Sequence, residues 1–295
     1  MDNGAVNWQY RMEQALEYIE ARLENETPLK GAAETAHCSP FYFMRMFEVI
    51  TGISPAEYVR RRRLSRAALE IASGTARILD IALKYGYESP DSFTRAFKRE
   101  FGCLPTEARA GGVRLHTYPP LRFSIALKGD TPMEFRIEQE AEMKLTGPVI
   151  RVDSTNGNNF VKIPAFWEEL MADGRCARMA EMAVNSPLGI AGLCFDLNMD
   201  TGEFTYGAMI ESSCAPDGSK EGWEQVTIPA GTWAKFTSRG PLHPNFQDMI
   251  KRIYAEWFPE SGREHAGTAE LEFYPKGLNP ASPDYWCEYW VPIKT

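Results

Sequence analysis

The chain is short of the features that mark several large classes of protein. It has no apolar run of the ~18 residues a membrane-spanning helix needs, and its opening MDNGAVNWQYRME lacks the charged-then-apolar order of a secretory signal. The six cysteines, Cys38, Cys103, Cys176, Cys194, Cys214 and Cys287, form no CxxC pair, so reduced thiols in a cytoplasmic protein are expected. Four histidines, His37, His116, His243 and His265, lie far apart and none has ligand spacing with a Cys or another His; no metal is expected. GxSxG, P-loop, GxGxxG and HExxH patterns are all missing, so no cofactor and no enzymatic role are expected. Positive charge is also scarce, with 32 Lys and Arg against 40 Asp and Glu.

That deficit is uneven. Residues 1–112 carry 15 basic and 15 acidic side chains, whereas residues 113–295 carry 17 and 25 and hold the whole net charge of −8. Residues 41–109 count 12 against 8. A locally positive stretch can meet phosphate whatever the total charge, because binding follows local potential. With 295 residues, 44 % of them hydrophobic, the chain is expected to be soluble, globular and multidomain.

Residues 39–57 recur fifty positions later: Ser39, Pro40, Phe43, Arg45, Phe47, Gly52, Pro55 and Glu57 match Ser89, Pro90, Phe93, Arg95, Phe97, Gly102, Pro105 and Glu107, eight identities in nineteen ungapped positions. One supersecondary unit has been used twice. Each copy reads as a helix with Ser as N-cap, Pro at its first position and a Gly stop, preceded by a short helix at about 29–36 or 78–85. A first helix carries the stripe Trp8, Met12, Ala15, Leu16, Ile19 and Leu23 and stops at Thr27-Pro28. A long helix from about Ala56 to Ser73 separates the copies. Residues 1–112 are therefore expected to be all-α, with two helix-turn-helix units, and the linker to lie at about 110–120.

From residue 113 the period changes to two-residue alternation, as in 133–138 and 203–210, with turns at Asp196–Gly202 and Ile228–Gly231 read as hairpins. Helices are expected at about 164–184 and 244–258. The order strand, helix, strand, strand, given twice, predicts an α+β domain over 113–295: an antiparallel sheet with a pseudo-two-fold axis and two helices.

In a helix-turn-helix the second helix presents side chains to base edges. With Phe43, Met46 and Phe47 inward, Phe41, Met44 and Arg45 lie on another side; in the second copy Asp91, Ser92, Thr94 and Arg95 lie outside Phe93 and Phe97. Arg pairs bidentately with guanine, and apolar groups meet the thymine methyl. The long helix, at ~1.5 Å per residue, is ~27 Å long, suited to holding two such helices about one duplex turn (~34 Å) apart. The run Arg60–Arg63, with Arg66, offers phosphate contacts or pairs with neighbours such as Glu57 and Glu70. On the last strand, Trp286, Glu288 and Trp290 share one face. A carboxylate between indoles suits a cation with an apolar body; Tyr274 and Trp223, with Trp167 and Phe195, are further walls. Cys287, Tyr289, Val291 and Ile293 are assigned to the core.

From Ala33 to Arg109 the pattern of S-P-x-x-F-x-R-x-F, G-x-S-P-x-x-Y, R-R-x-x-R-L-x-x-A, G-Y-x-S, F-x-R-A-F-K-R-x-F-G and P-x-x-x-R resembles the AraC/XylS family of transcription regulators. The resemblance implies seven helices, base-facing positions at Phe41, Met44, Arg45, Asp91, Ser92, Thr94 and Arg95, and promoter DNA and RNA polymerase as partners. The second half is similar to GyrI-like effector-binding domains at Pro119–Phe123, Gly129, Met133, Arg136 and Ile137, Phe166-Trp167, Tyr254 and Glu288–Ile293. That likeness implies a small amphipathic or cationic effector held by Glu288. An alternative is a hydrolase, or a drug-sequestering protein, using Glu288. A regulator with two reading helices per chain is able to act as monomer or homodimer.

Overall fold

The computed structural model describes residues 4–24, 28–122, 132–153, 158–198, 201–215, 222–267 and 269–294. Thr27, Phe123 and Gly129, and the tip of the 196–202 turn at Met199 and Asp200, lie outside the described residues. The chain forms two bodies. One comprises 7–37 and 55–125; the other comprises 1–6, 38–54 and 126–295. Segment 38–54 lies in the second body, where Tyr42–Glu48 are buried, and residues 113–125 lie in the first.

The helical body carries most of α1 (Gly4–Glu20), α2 (Leu29–Thr35), α4 (Pro55–Ser73), α5 (Ile78–Lys84), α6 (Pro90–Phe101) and α7 (Pro105–Ala110). The stripe Trp8, Met12, Ala15, Leu16, Ile19 and Leu23 is buried. A second core joins Leu64, Ala67, Ala68 and Ile71 of α4 to Ile81, Ala82, Phe93 and Phe97 of α5 and α6. Ser89 caps α6 by accepting from the Ser92 N–H at 3.2 Å, and Gly102 ends it in the left-handed region at φ 73°.

The arginines of α4 point around the helix, as four consecutive residues must, and they find partners within this body. Arg60 pairs with Glu57 and Glu100, Arg61 with Glu57, and Arg62 with Glu20, all at 2.6–2.7 Å; Arg63 donates to the Leu23 carbonyl. Glu70 meets Lys84 and Tyr85 instead of an arginine. Arg66 is exposed.

The α+β body holds α3 (Pro40–Thr51) and nine strands among the described residues: β1 (Phe135–Glu140), β2 (Met143–Gly147), β3 (Val149–Asp153), β4 (Ala191–Phe195), β5 (Glu203–Glu211), β6 (Glu224–Ile228), β7 (Gly231–Arg239), β8 (Glu270–Phe273) and β9 (Trp286–Ile293). All pairs are antiparallel in the order β1-β7-β9-β8-β4-β5-β2-β6, with β3 also on β5. The units β3-helix-β4-β5 and β7-helix-β8-β9 meet along β4 and β8, which is the expected two-fold arrangement. The expected helix at 164–184 is two, α8 (Asn159–Ala172) and α9 (Arg175–Met182). That at 244–258 is α10 (Leu242–Arg252), a π-helical stretch Ile253–Trp257 and α11 (Phe258–Ser261). The Ile228–Gly231 turn is not a hairpin: β6 pairs with β2, and β7 with β1 and β9.

Register fixes which residues share a face. Tyr289 lies opposite Glu272, and Glu272 opposite Gly192; Glu270 lies opposite Cys194, and Cys194 opposite Tyr206. This face meets Phe166, Leu170 and Met179 of α8 and α9. The other face gathers Leu193, Leu271, Trp233 and Trp290.

Gly102→Ala puts a side chain into the left-handed region with no new contact within 4 Å. It is expected to lower the unfolding free energy by about 1 kcal/mol, read from urea denaturation of the full chain.

Candidate functional site

The two repeated helices have opposite environments. On α6 Phe93 and Phe97 are fully buried, Asp91 and Arg95 are exposed, and Ser92 and Thr94 are half-buried. Its outer face, ending in exposed Lys98 and Arg99, offers the mixed cationic and hydroxyl surface that duplex DNA accepts. On α3 the corresponding residues are covered: Arg45 is 9 % and Met44 2 % exposed, and half-buried Phe41 stacks on His265 at 5.1 Å between centroids. The base-facing surface expected at Phe41, Met44 and Arg45 is thus not presented in this structure. The residues 41–50, FYFMRMFEVI, are apolar almost all round, as suits a helix with protein on most sides.

Arg45 is buried with its charge matched. Its Nε donates to Glu270 Oε2 at 2.7 Å, an Nη donates to the Tyr289 hydroxyl at 2.9 Å, and Glu48 lies 3.7 Å away. Glu270 also accepts from the hydroxyls of Tyr254 and Tyr289. Burial alone would lower the Arg45 pKa, but Glu270 and its neighbours hold it well above its ordinary value. Burial, with Arg45 second, pushes His265 down to about 3, so this ring is neutral at pH 7.

Beside this pair a cavity of about 880 Å³ opens within the α+β body. Arg45, Glu48 and Val49 of α3 form one wall; Trp167, Phe246, Glu272, Tyr274 and Tyr285 are among the others. Glu272 is 8 % exposed. Its Oε2 accepts from Tyr206 at 2.6 Å and Tyr274 at 2.8 Å, and Trp167 Nε1 donates to Tyr206 at 2.9 Å. The hydrogen bonds of Glu272 found among the described residues all fall on Oε2. Gly192 makes room for this group, since a Cβ there would sit 2.5 Å from both Glu272 Oε2 and the Tyr206 hydroxyl. Burial raises the Glu272 pKa, and the two tyrosine hydroxyls offset part of the rise. Lys251 and Lys276 also line the cavity; both are exposed, and Lys276 is tied to the Ala183 carbonyl at 2.6 Å.

Of the ligand residues expected from sequence, Tyr274 lies in this wall, as does Trp167. Trp286, Glu288 and Trp290 do share a face, but it is the opposite one, and they are not among the residues that line the cavity. Arg136 grips both Glu288 oxygens at 2.6 and 3.0 Å, and Trp290 Nε1 donates to Glu288 at 2.7 Å. Lys235 Nζ sits 3.6 Å from a Trp290 ring centroid. The carboxylate, the indole and the cations are all present, but the cations are the chain's own. Trp286 stacks on Phe273, Trp223 packs half-buried at the edge of the core under α8 and α9, and Phe195 packs on the other core. The carboxylates that sequence reading missed are Glu270 and Glu272. Their signal was Glu-x-Glu inside an otherwise apolar strand, which places two carboxylates on one covered face.

Residues 133–294 match the GyrI-like small molecule binding domain, and residues 32–111 match a helix-turn-helix domain. The chain is 27 % identical to the transcriptional regulator Rob of Salmonella typhimurium, over 94 % of this chain and 96 % of that protein. The same figures hold for the right origin-binding protein of Escherichia coli K12. The regulatory protein SoxS of Salmonella typhimurium is 35 % identical over 94 residues, 32 % of this chain and 88 % of its own length.

A carboxyl whose pKa is raised by folding holds a proton that the unfolded chain has already lost. The stability this adds is complete below the ordinary value of about 4.3 and fades as pH rises through the raised folded value. Urea unfolding of the wild type is expected to show that decline, and Glu272→Gln to flatten it.

Proposed function

Since the chain belongs to the AraC-type helix-turn-helix transcription regulators that carry a GyrI-like small molecule binding domain, we propose that its effector is an amphipathic cation bound in the 880 Å³ cavity with Glu272 as counter-charge. The observation that carries this reading is the state of Glu272. One oxygen is fixed by two tyrosine hydroxyls, while the carboxylate lines a space walled by Trp167, Phe246 and Tyr274. A buried carboxylate with a raised pKa gains most from a partner that brings positive charge together with apolar surface. Glu288, already neutralised by Arg136, has no such need, which also removes the support for a hydrolase that uses it.

On the DNA side, α6 reads bases through Asp91, Ser92, Thr94 and Arg95, and α3 does so through Phe41, Met44 and Arg45 when it is presented. The chain acts in the cytoplasm on promoter DNA, with RNA polymerase as its partner there, as monomer or homodimer.

Tetraphenylarsonium and tetraphenylborate are nearly equal in size and shape and opposite in charge, so together they isolate the charge requirement. Titration should change tryptophan emission for the cation alone, through Trp167. Glu272→Gln should weaken that binding about tenfold or more, worth ~1.4 kcal/mol, while Glu288→Gln leaves it unchanged. Equal binding of the anion, or an unaffected Glu272→Gln variant, would reject the assignment. In a gel shift with genomic fragments, Arg95→Ala is expected to cost roughly 1–3 kcal/mol in duplex affinity.

A further inference from the structure

The repeat supplies an internal comparison. Arg45 and Arg95 stand at matching positions of duplicated helices, yet Arg95 is exposed and Arg45 is buried on a fully buried carboxylate. The seat around Arg45 is elaborate. Glu270 takes the guanidinium, Tyr289 hydrogen-bonds both partners, Tyr254 donates to the other Glu270 oxygen, and His265 lies beneath Phe41. Tyr42 of α3 meets Tyr254 and Phe258. Two of the side chains expected to face bases, Phe41 and Arg45, are engaged in this seat, and Met44 is buried.

The seat also adjoins the cavity. Arg45, Glu48 and Val49 are part of its wall together with Glu272. Glu270 and Glu272 lie on one strand two residues apart, about 7 Å along it, and Arg45 acts electrostatically on both. A cation brought to Glu272 therefore raises the positive potential at Arg45 and weakens its hold on Glu270. An apolar body in the same space presses on Val49.

We propose that α3 is an internal ligand of the α+β body, with Arg45 in a guanidinium seat on the wall of the effector cavity, and that a cationic effector displaces it and so frees Phe41, Met44 and Arg45 for DNA. The proposal rests on the reading of the cavity as a cation site. The effector favours the released form by its differential affinity alone, and a coupling of this kind between sites is commonly roughly 5–150-fold. By reciprocity, duplex DNA that captures α3 tightens effector binding by the same factor.

The test uses the full chain, tetraphenylarsonium as probe and a duplex that the protein recovers from fragmented genomic DNA. Amide exchange of residues 40–51 is followed by mass spectrometry, and duplex affinity by gel shift. The probe is expected to raise exchange in 40–51 and to tighten duplex binding by roughly 5–150-fold. Glu270→Gln, which takes away the nearer of the two carboxylates paired with Arg45 and leaves Glu48 at 3.7 Å, is expected to show both changes without the probe. Tyr289→Phe should move both readouts the same way by a smaller factor, and it decides the matter if Glu270→Gln loses its native circular dichroism. If the probe changes tryptophan emission while exchange in 40–51 and duplex affinity stay fixed, the displacement is refuted and the cavity assignment stands. If the probe fails to bind while both variants still loosen α3 and tighten duplex binding, the seat stands and the cavity assignment falls. Variants that bind duplex no better than wild type, with 40–51 still protected, overturn the seat.

Discussion

A guanidinium buried in a protein interior requires a carboxylate, and that requirement sets the position of α3. Arg45 reaches Glu270 at 2.7 Å in a site where Glu270 is wholly inaccessible to water. Buried pairs of this type contribute little net stability compared with apolar packing, yet removing one partner strands the other charge at a cost of roughly 3–5 kcal/mol. The pair thus works as a specificity device: α3 must sit where its arginine meets that carboxylate, and its apolar surface then packs around Tyr254 and Phe258.

The sheet provides the second half of the arrangement. Pairing of β8 with β4 and β9 puts Glu270, Glu272 and Tyr289 on the face covered by helices, while Leu271, Trp290 and Glu288 go to the other. The two faces solve the same electrostatic problem differently. On one, Glu288 has Arg136 and Trp290 has Lys235, so charge is balanced within the chain. On the other, Arg45 is paired with Glu270, and among the described residues the hydrogen bonds to Glu272 come from tyrosine hydroxyls. On the proposed reading, an outside cation at Glu272 replaces hydration that has already been lost.

What was legible in the sequence was local. Ser39-Pro40 and Ser89-Pro90 start helices, and Gly52 and Gly102 stop them, because capping depends on residues a few positions apart. The α1 stripe and the alternation of β5 and β9 were readable for the same reason. What sequence reading missed was non-local. Alternation in β9 divides Trp286, Glu288 and Trp290 from Cys287, Tyr289 and Val291, but which set faces the helices depends on strand order. The 228–231 turn is not the hairpin its residues suggest, because β6 and β7 find partners far away in sequence. The burial of α3 did leave a trace, since Tyr42, Met44 and Met46 stand where α6 has Ser92, Thr94 and Ala96. An amphipathic helix was replaced by one apolar nearly all round, which signals a second packing partner.

Arg45 and Glu270 hold α3 as a coupled pair. A double-mutant cycle on unfolding free energy, with Arg45→Met, Glu270→Gln and the combination, measures that coupling directly. The expected coupling energy is roughly 1–3 kcal/mol, with the double variant more stable than the sum of the two losses implies. Additive losses, within about 0.3–0.5 kcal/mol, would contradict it.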